Sequence, residues 1–250
     1  MVEIAGGPFS EASPSIMTGS LIYNSALMYE AVMRLLYGRW YNERYQSVAD
    51  LIGEGSSVLD VCCGPGTLFQ RYLKAKRVRY TGLDINRHFI DRLCAGGATG
   101  VVWNLKENRP LPRAEYVIIQ SSLYHFLPDA SSLVDRMIAA AEKRVLIAEP
   151  IRNIADSRIR PLAFLACKLT NPGTEDQPSR FDLARLDALM ERYRRRGHAT
   201  RSQLIAGGRE KLYILQIGHE FDHCRADTTL YPAQAPLPHP GSSRPAGTAE

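Results

Sequence analysis

The chain has 250 residues, 45% hydrophobic and 23% charged, the balance of a globule long enough to bury a sizeable core in one domain. A net charge of +5 is too mild, and its cations too scattered among the aromatics, for a nucleic-acid-binding surface; the densest run, Arg192-Tyr193-Arg194-Arg195-Arg196, reads as the solvated end of a helix. Met1 to Ser20 lacks a basic start followed by an apolar block, no run reaches the length of a membrane span, and the five cysteines (Cys62, Cys63, Cys94, Cys167, Cys224) are odd in number and scattered, so a cytoplasmic protein with reduced thiols and no stable membrane insertion is expected.

Residues 1–19 are rich in small residues and read as loose. From Leu21 to Ile52 the apolar spacing is helical, with Gly38 placed to break it into two helices. Strands and helices then alternate. Val58 to Val61 is a buried strand, Leu68 to Ala75 a helix, Val78 to Leu83 a strand, Arg87 to Ala95 a helix and Gly100 to Trp103 a short strand. Tyr116 to Gln120, Ser131 to Glu142 and Val145 to Ala148 continue as strand, helix and strand. Such alternation predicts an α/β fold, doubly wound, with a mostly parallel sheet and helices on both faces. Beyond Pro150, Ile154 to Thr170 is amphipathic, Asn171 to Ser179 is a polar loop and Phe181 to Arg196 is an amphipathic helix. Thr200 to Ala206 and Lys211 to Gln216 flank Gly207-Gly208 as a hairpin, and from Arg225 the Pro-rich composition predicts disorder.

The most informative stretch is Val58-Leu59-Asp60-Val61-Cys62-Cys63-Gly64-Pro65-Gly66-Thr67. Gly64 and Gly66 let the chain turn sharply and let a ligand approach without meeting a Cβ. Asp60 ends the strand before them, and about twenty positions after Gly64 a second strand ends in Asp84, where a βαβ unit offers an acid to ribose hydroxyls. Together these form a nucleoside-binding half-site. A dinucleotide site would want a third glycine for close helix packing, and that position is Phe69; a carboxylate near the turn also suits a cationic ligand better than a pyrophosphate.

The Asp60-to-Gly66 pattern, with the strand order around it, resembles the small-molecule class I S-adenosylmethionine-dependent methyltransferases over roughly residues 40 to 217. That resemblance implies a seven-strand sheet ending in the antiparallel hairpin. It also implies a helical cap over 1–52, a cofactor-binding domain over 53–217 with a substrate-covering insertion at 151–180, and a tail over 218–250. The implied cofactor is S-adenosylmethionine. Gly64 and Gly66 approach its methionine part, Asp60 holds the ammonium directly or through water, Asp84 accepts the ribose hydroxyls and Ile85 packs on adenine. Asn104 bonds the adenine amino group, Gln120 lies beside the sulfonium, and Cys62, Leu105 and Ser121 complete the cofactor set. The segment Leu123 to Asp129 resembles the family's h-x-L-P-D segment and puts Tyr124 and His125 at the acceptor. His125 is either a proton acceptor or a packed histidine; Asp60 has a reading as a helix cap and Asp84 as the start of a turn.

The acceptor is narrowed by what is missing. After the fourth strand stands Gln120-Ser121-Ser122-Leu123, not the D/N/S-P-P-Y/F/W of nucleic-acid amino methyltransferases, and Gln120 is a poor magnesium ligand. The expectation is a metal-free enzyme for a small organic acceptor, aromatic or lipid-like, lined by Tyr23, Tyr29, Tyr37, Trp40, Tyr41, Tyr45 and by Leu162, Phe164 and Leu165. Two rival readings are a dinucleotide-dependent reductase, opposed by Phe69, and a non-catalytic S-adenosylmethionine-binding protein. His219-Glu220-Phe221-Asp222-His223 matches H-E-x-x-H but follows a predicted strand and lacks a third ligand, so no zinc site is expected. The oligomeric state is not legible.

Overall fold

The computed structural model describes residues 26–151 and 181–217. Tyr23, most of the insertion with Leu162, Phe164 and Leu165, the H-E-x-x-H segment and the tail lie outside those residues.

The helical run divides at Gly38 as expected, into α1 (Ala26–Tyr37) and α2 (Tyr41–Ala49). The alternating region gives β1 (Ser57–Val61), β2 (Arg79–Asp84), α3 (Arg87–Ala95), β3 (Thr99–Val102), β4 (Ala114–Gln120), α4 (Ala130–Ala140) and β5 (Ala141–Pro150), followed by α5 (Leu183–Arg195), β6 (Thr200–Ile205) and β7 (Glu210–Gln216). One sheet contains all seven strands in the order β3-β2-β1-β4-β5-β7-β6. β1 pairs in parallel with both β2 and β4, and only β7 runs against its neighbours, β5 and β6. The fold is the class I methyltransferase sheet. Strand order reverses between β1 and β4, so the carboxyl ends of these two strands flank the crevice where such sheets take ligands.

Two apolar layers cover the sheet. Leu133, Val134 and Met137 of α4 and Leu186, Met190 and Tyr193 of α5 pack on one face. Met33 and Tyr37 of α1, Tyr41, Tyr45 and Val48 of α2 and Leu93 of α3 pack on the other. Three helices, α3, α4 and α5, start on side-chain caps: Asn86 accepts the His88 N–H (3.0 Å), Asp129 that of Ser132 (3.3 Å) and Asp182 that of Arg185 (2.7 Å).

Three local elements bear on these expectations. The helical segment expected from Leu68 to Ala75 is present, but wound as a π-helix, Phe69–Leu73, closed by a short 3-10 turn, Lys74–Lys76. Ala141 and Glu142, read as helix, begin β5; Lys143 pairs with Glu115 (2.8 Å) and Arg144 with Gln216 (3.0 Å), so these charges serve the sheet. The arginine run does close a helix, α5, where Glu191 holds Arg194 and Arg195 and Asp135 holds Arg196.

Candidate functional site

The turn after β1 is left-handed at every second residue. Cys62 has φ 60°, Gly64 55° and Gly66 73°. Glycine is free to adopt this conformation, and a non-glycine residue there is uncommon. A Cβ at Gly66 would stand 2.7 Å from Leu93 Cδ1, whereas one at Gly64 would meet nothing within 4 Å. Gly66 therefore admits α3, and Gly64 faces the crevice.

Asp84, 4% exposed at the end of β2, ties into this turn. Its Oδ2 accepts the Gly64 N–H (2.9 Å) and its Oδ1 the Asn86 N–H (2.8 Å). Burial raises its pKa and these main-chain bonds oppose the rise. Asp84 does make the local turn, with the Ile85 main chain adding to these partners, and still keeps acceptor capacity beyond them. Ile85 beside it is 47% exposed, an apolar surface left open next to a carboxylate.

Asp60 lies deeper. It is 4% exposed on β1 and accepts the Tyr80 hydroxyl, so it caps no helix. Burial pushes its pKa up to about 7; the Tyr80 bond opposes and the Asp84 charge adds to that rise. Phe69, in place of a third glycine, packs its ring on Tyr80 with centroids 4.9 Å apart. Burial likewise raises the Cys62 and Cys63 thiols, with the charges of Asp84 and Asp60 adding. Thiols held in that state are poor nucleophiles.

On the β3 side, Asn104 turns its Oδ1 to the Lys106 N–H (3.1 Å), and Leu105 puts its side chain into the core while its carbonyl accepts from Arg136 (2.9 Å). On the β4 side, Gln120 Nε2 donates to the Arg44 carbonyl (2.9 Å). Ser121 has φ 56° and donates through its hydroxyl to Glu210 (3.1 Å). Glu149, buried at the end of β5, accepts the Ser122 and Leu123 N–H groups (2.7 and 2.6 Å) and so fixes the segment that carries Tyr124 and His125, whose rings lie 4.0 Å apart.

Three contributors had no signal in the sequence. Arg44 of α2, 2% exposed, forms a 3.0 Å ion pair with Glu210, the first residue of β7 and fully buried. The Arg44 guanidinium lies 4.3 Å from the Tyr37 ring centre and 4.8 Å from that of Tyr45, and the Tyr37 hydroxyl donates to Glu210. Burial works against the Arg44 charge, and Glu210 with the nearby tyrosines outweighs it, raising the pKa. Glu30 of α1, also buried, accepts from Thr67 (3.2 Å), Arg71 (3.2 Å) and Arg92 (3.1 Å), clamping α1 across the glycine turn and α3. An arginine or glutamate on an amphipathic helix, or a glutamate after a hairpin turn, reads as solvated; only the fold brings these partners together.

Among the described residues no group of three His, Cys, Asp or Glu side chains could hold a metal ion, and no helix is long and apolar enough to cross a membrane.

Residues 42–181 match the model of the family MetW, described as "Methionine biosynthesis protein MetW". No curated protein matches the chain. Among solved structures, the chain is similar to a SAM-dependent methyltransferase from Aquifex aeolicus (14% identity, 78% of this chain and 99% of that one, TM-score 0.53). It is also similar to human N-acetylserotonin methyltransferase in complex with SAM (18%, 79% and 58%, TM-score 0.53) and to magnesium protoporphyrin IX methyltransferase from Synechocystis with bound SAH (13%, 84% and 90%, TM-score 0.50). At these identities the likeness is one of fold.

Proposed function

The chain belongs to the MetW family, and from that premise we propose that it is an S-adenosylmethionine-dependent, metal-independent methyltransferase acting on a small organic acceptor, aromatic or lipid-like. The observation that carries this reading is the junction of the left-handed turn at Cys62, Gly64 and Gly66 with Asp84 and the exposed Ile85. A nucleoside with a cationic tail and no phosphate fits it: a carboxylate at Asp84 with acceptor capacity left for ribose hydroxyls, an apolar seat at Ile85 for adenine, and an acidic rather than anion-binding surround.

In this reading Asn104 Oδ1 accepts from the adenine amino group and Leu105 contributes its main chain, since its side chain belongs to the core. Gln120, anchored on the Arg44 carbonyl, stands beside the sulfur, and Gly64, Gly66 and Cys62 line the methionine part. Asp60 sits beneath the turn under Tyr80, so it reaches the ammonium only through water. When bound, the cofactor supplies an electrophilic methyl on a sulfonium. The residues then chiefly align the acceptor, which is worth several kcal/mol. Tyr124 packs the acceptor face, and His125 takes a proton where the acceptor must lose one, with Glu149 setting the segment that holds both.

The test is calorimetric titration with S-adenosylhomocysteine and with NAD. Binding of the first and none of the second is expected; NAD binding without a response to S-adenosylhomocysteine overturns the reading.

A further inference from the structure

The Arg44–Glu210 pair stands at the same carboxyl edge of the sheet as the glycine turn. Arg44 meets Gln120 and Ser121 at the end of β4, and β4 is hydrogen-bonded to β1 through the register Val61 to Ile119. The pair is buried but not saturated. Arg44 Nε, a donor, Glu210 Oε2, an acceptor, and the Tyr41 hydroxyl have no hydrogen-bond partner among the described residues. Tyr41 lies one turn before Arg44 on α2. Burying a charged pair costs more than its attraction returns unless the remaining polar atoms are also bonded, and buried polar atoms left over in a native protein call for a ligand or a water. The charge census points the same way. Among the described residues the buried acids are Glu30, Asp60, Asp84, Glu149 and Glu210, and Arg44 is the one buried base.

An unfilled donor and an unfilled acceptor on two ion-paired side chains are complementary to a group that carries both a negative and a positive charge a few ångströms apart. We propose that Arg44 and Glu210 form a binding site for an α-amino-acid head group, Arg44 Nε with the Tyr41 hydroxyl holding its carboxylate and Glu210 Oε2 its ammonium. The site rests on the cofactor reading above for its first source, the methionine tail of S-adenosylmethionine; its second source is a free amino acid acting as acceptor. In either case Glu210 gives the ammonium the direct contact that Asp60, covered by Tyr80, does not.

The experiment compares S-adenosylhomocysteine with 5′-methylthioadenosine, which keeps the nucleoside and thioether and lacks the amino-acid tail. Both are titrated into the wild type, Arg44→Met, Glu210→Gln and the double variant. The double variant leaves no unpaired buried charge, and 5′-methylthioadenosine binding reports an intact fold. The expected result is a loss of about ten- to a hundredfold in S-adenosylhomocysteine affinity in each variant, with 5′-methylthioadenosine affinity unchanged. L-Methionine is titrated in parallel into protein with and without saturating S-adenosylhomocysteine. If S-adenosylhomocysteine affinity is unaffected but L-methionine binds the loaded wild type and not the variants, the site stands and its occupant is an amino-acid acceptor. If the variants match the wild type for both ligands, the site is overturned. A wild type that binds neither nucleoside overturns the cofactor reading instead, and the L-methionine titration without nucleoside then decides the head-group site by itself.

Discussion

Asp84 accepts main-chain N–H groups through both oxygens, and in the proposed reading its remaining acceptor capacity takes the ribose hydroxyls. Asp84→Ala removes both ligand bonds, and at roughly 1.5–3 kcal/mol for each bond to a charged group the affinity for S-adenosylhomocysteine falls about a hundredfold or more. Calorimetry on the folded variant checks this. Asp60 makes a different prediction, about pH. Its folded pKa of about 7 lies above the carboxylate's ordinary 3.8, so the native state binds the extra proton between those values. Where the native state binds more protons, stability falls as pH rises. Asp60 therefore costs stability progressively from about pH 4 to pH 7 and by a constant amount above. Asp60→Asn removes that slope: relative to the wild type, the variant gains stability as pH rises through this window. Denaturant titrations at pH 4.5, 6 and 8 read the difference, and a constant gap between the two proteins rules the account out.

At the scale of elements, the turn after β1 separates a packed glycine, Gly66, from an open one, Gly64. Both Gly64→Ala and Gly66→Ala place a side chain at positive φ, costing about 1–2 kcal/mol. Gly66→Ala also drives a Cβ into the buried Leu93, an overpacking worth a further 1–3 kcal/mol or so. Gly66→Ala is thus the less stable variant in thermal unfolding, while Gly64→Ala, with open space for its methyl, shows its main effect on S-adenosylhomocysteine affinity. The clamp by Glu30 joins α1 to the glycine turn and to α3. Glu30→Gln weakens two ion pairs whose arginines are partly exposed, so its cost in global stability is modest, about 1 kcal/mol. Its larger effect is a faster release of S-adenosylhomocysteine in stopped-flow displacement, because α1 closes over the turn.

For the molecule as a whole, what could be read in advance follows physical lines. β1, β2 and β4 are buried on both faces, so their apolar runs are continuous and legible, and Gly64, Gly66 and Asp84 carry a spacing that only a βαβ crossing explains. The start of β5 was not legible, because the partners of Lys143 and Arg144 come from β4 and β7. Nor was the left-handed Cys62, since cysteine does not announce positive φ. The Arg44–Glu210 pair was least legible of all: each residue alone looks solvated, and burial arises only when α2 and β7 meet.

That meeting sets an order of events during synthesis. Tyr37 and Glu210 are 173 residues apart, yet they share a hydrogen bond in the centre of the site. A ribosome will have released the glycine turn, Asp84 and the first five strands long before Glu210 emerges. A nascent chain stalled at residue 199 holds a nucleoside crevice without the carboxylate that neutralises Arg44, so it should retain no tight grip on S-adenosylhomocysteine. On the proposed head-group site, competence waits for the last hairpin, β6 and β7, to bring Glu210 to Arg44.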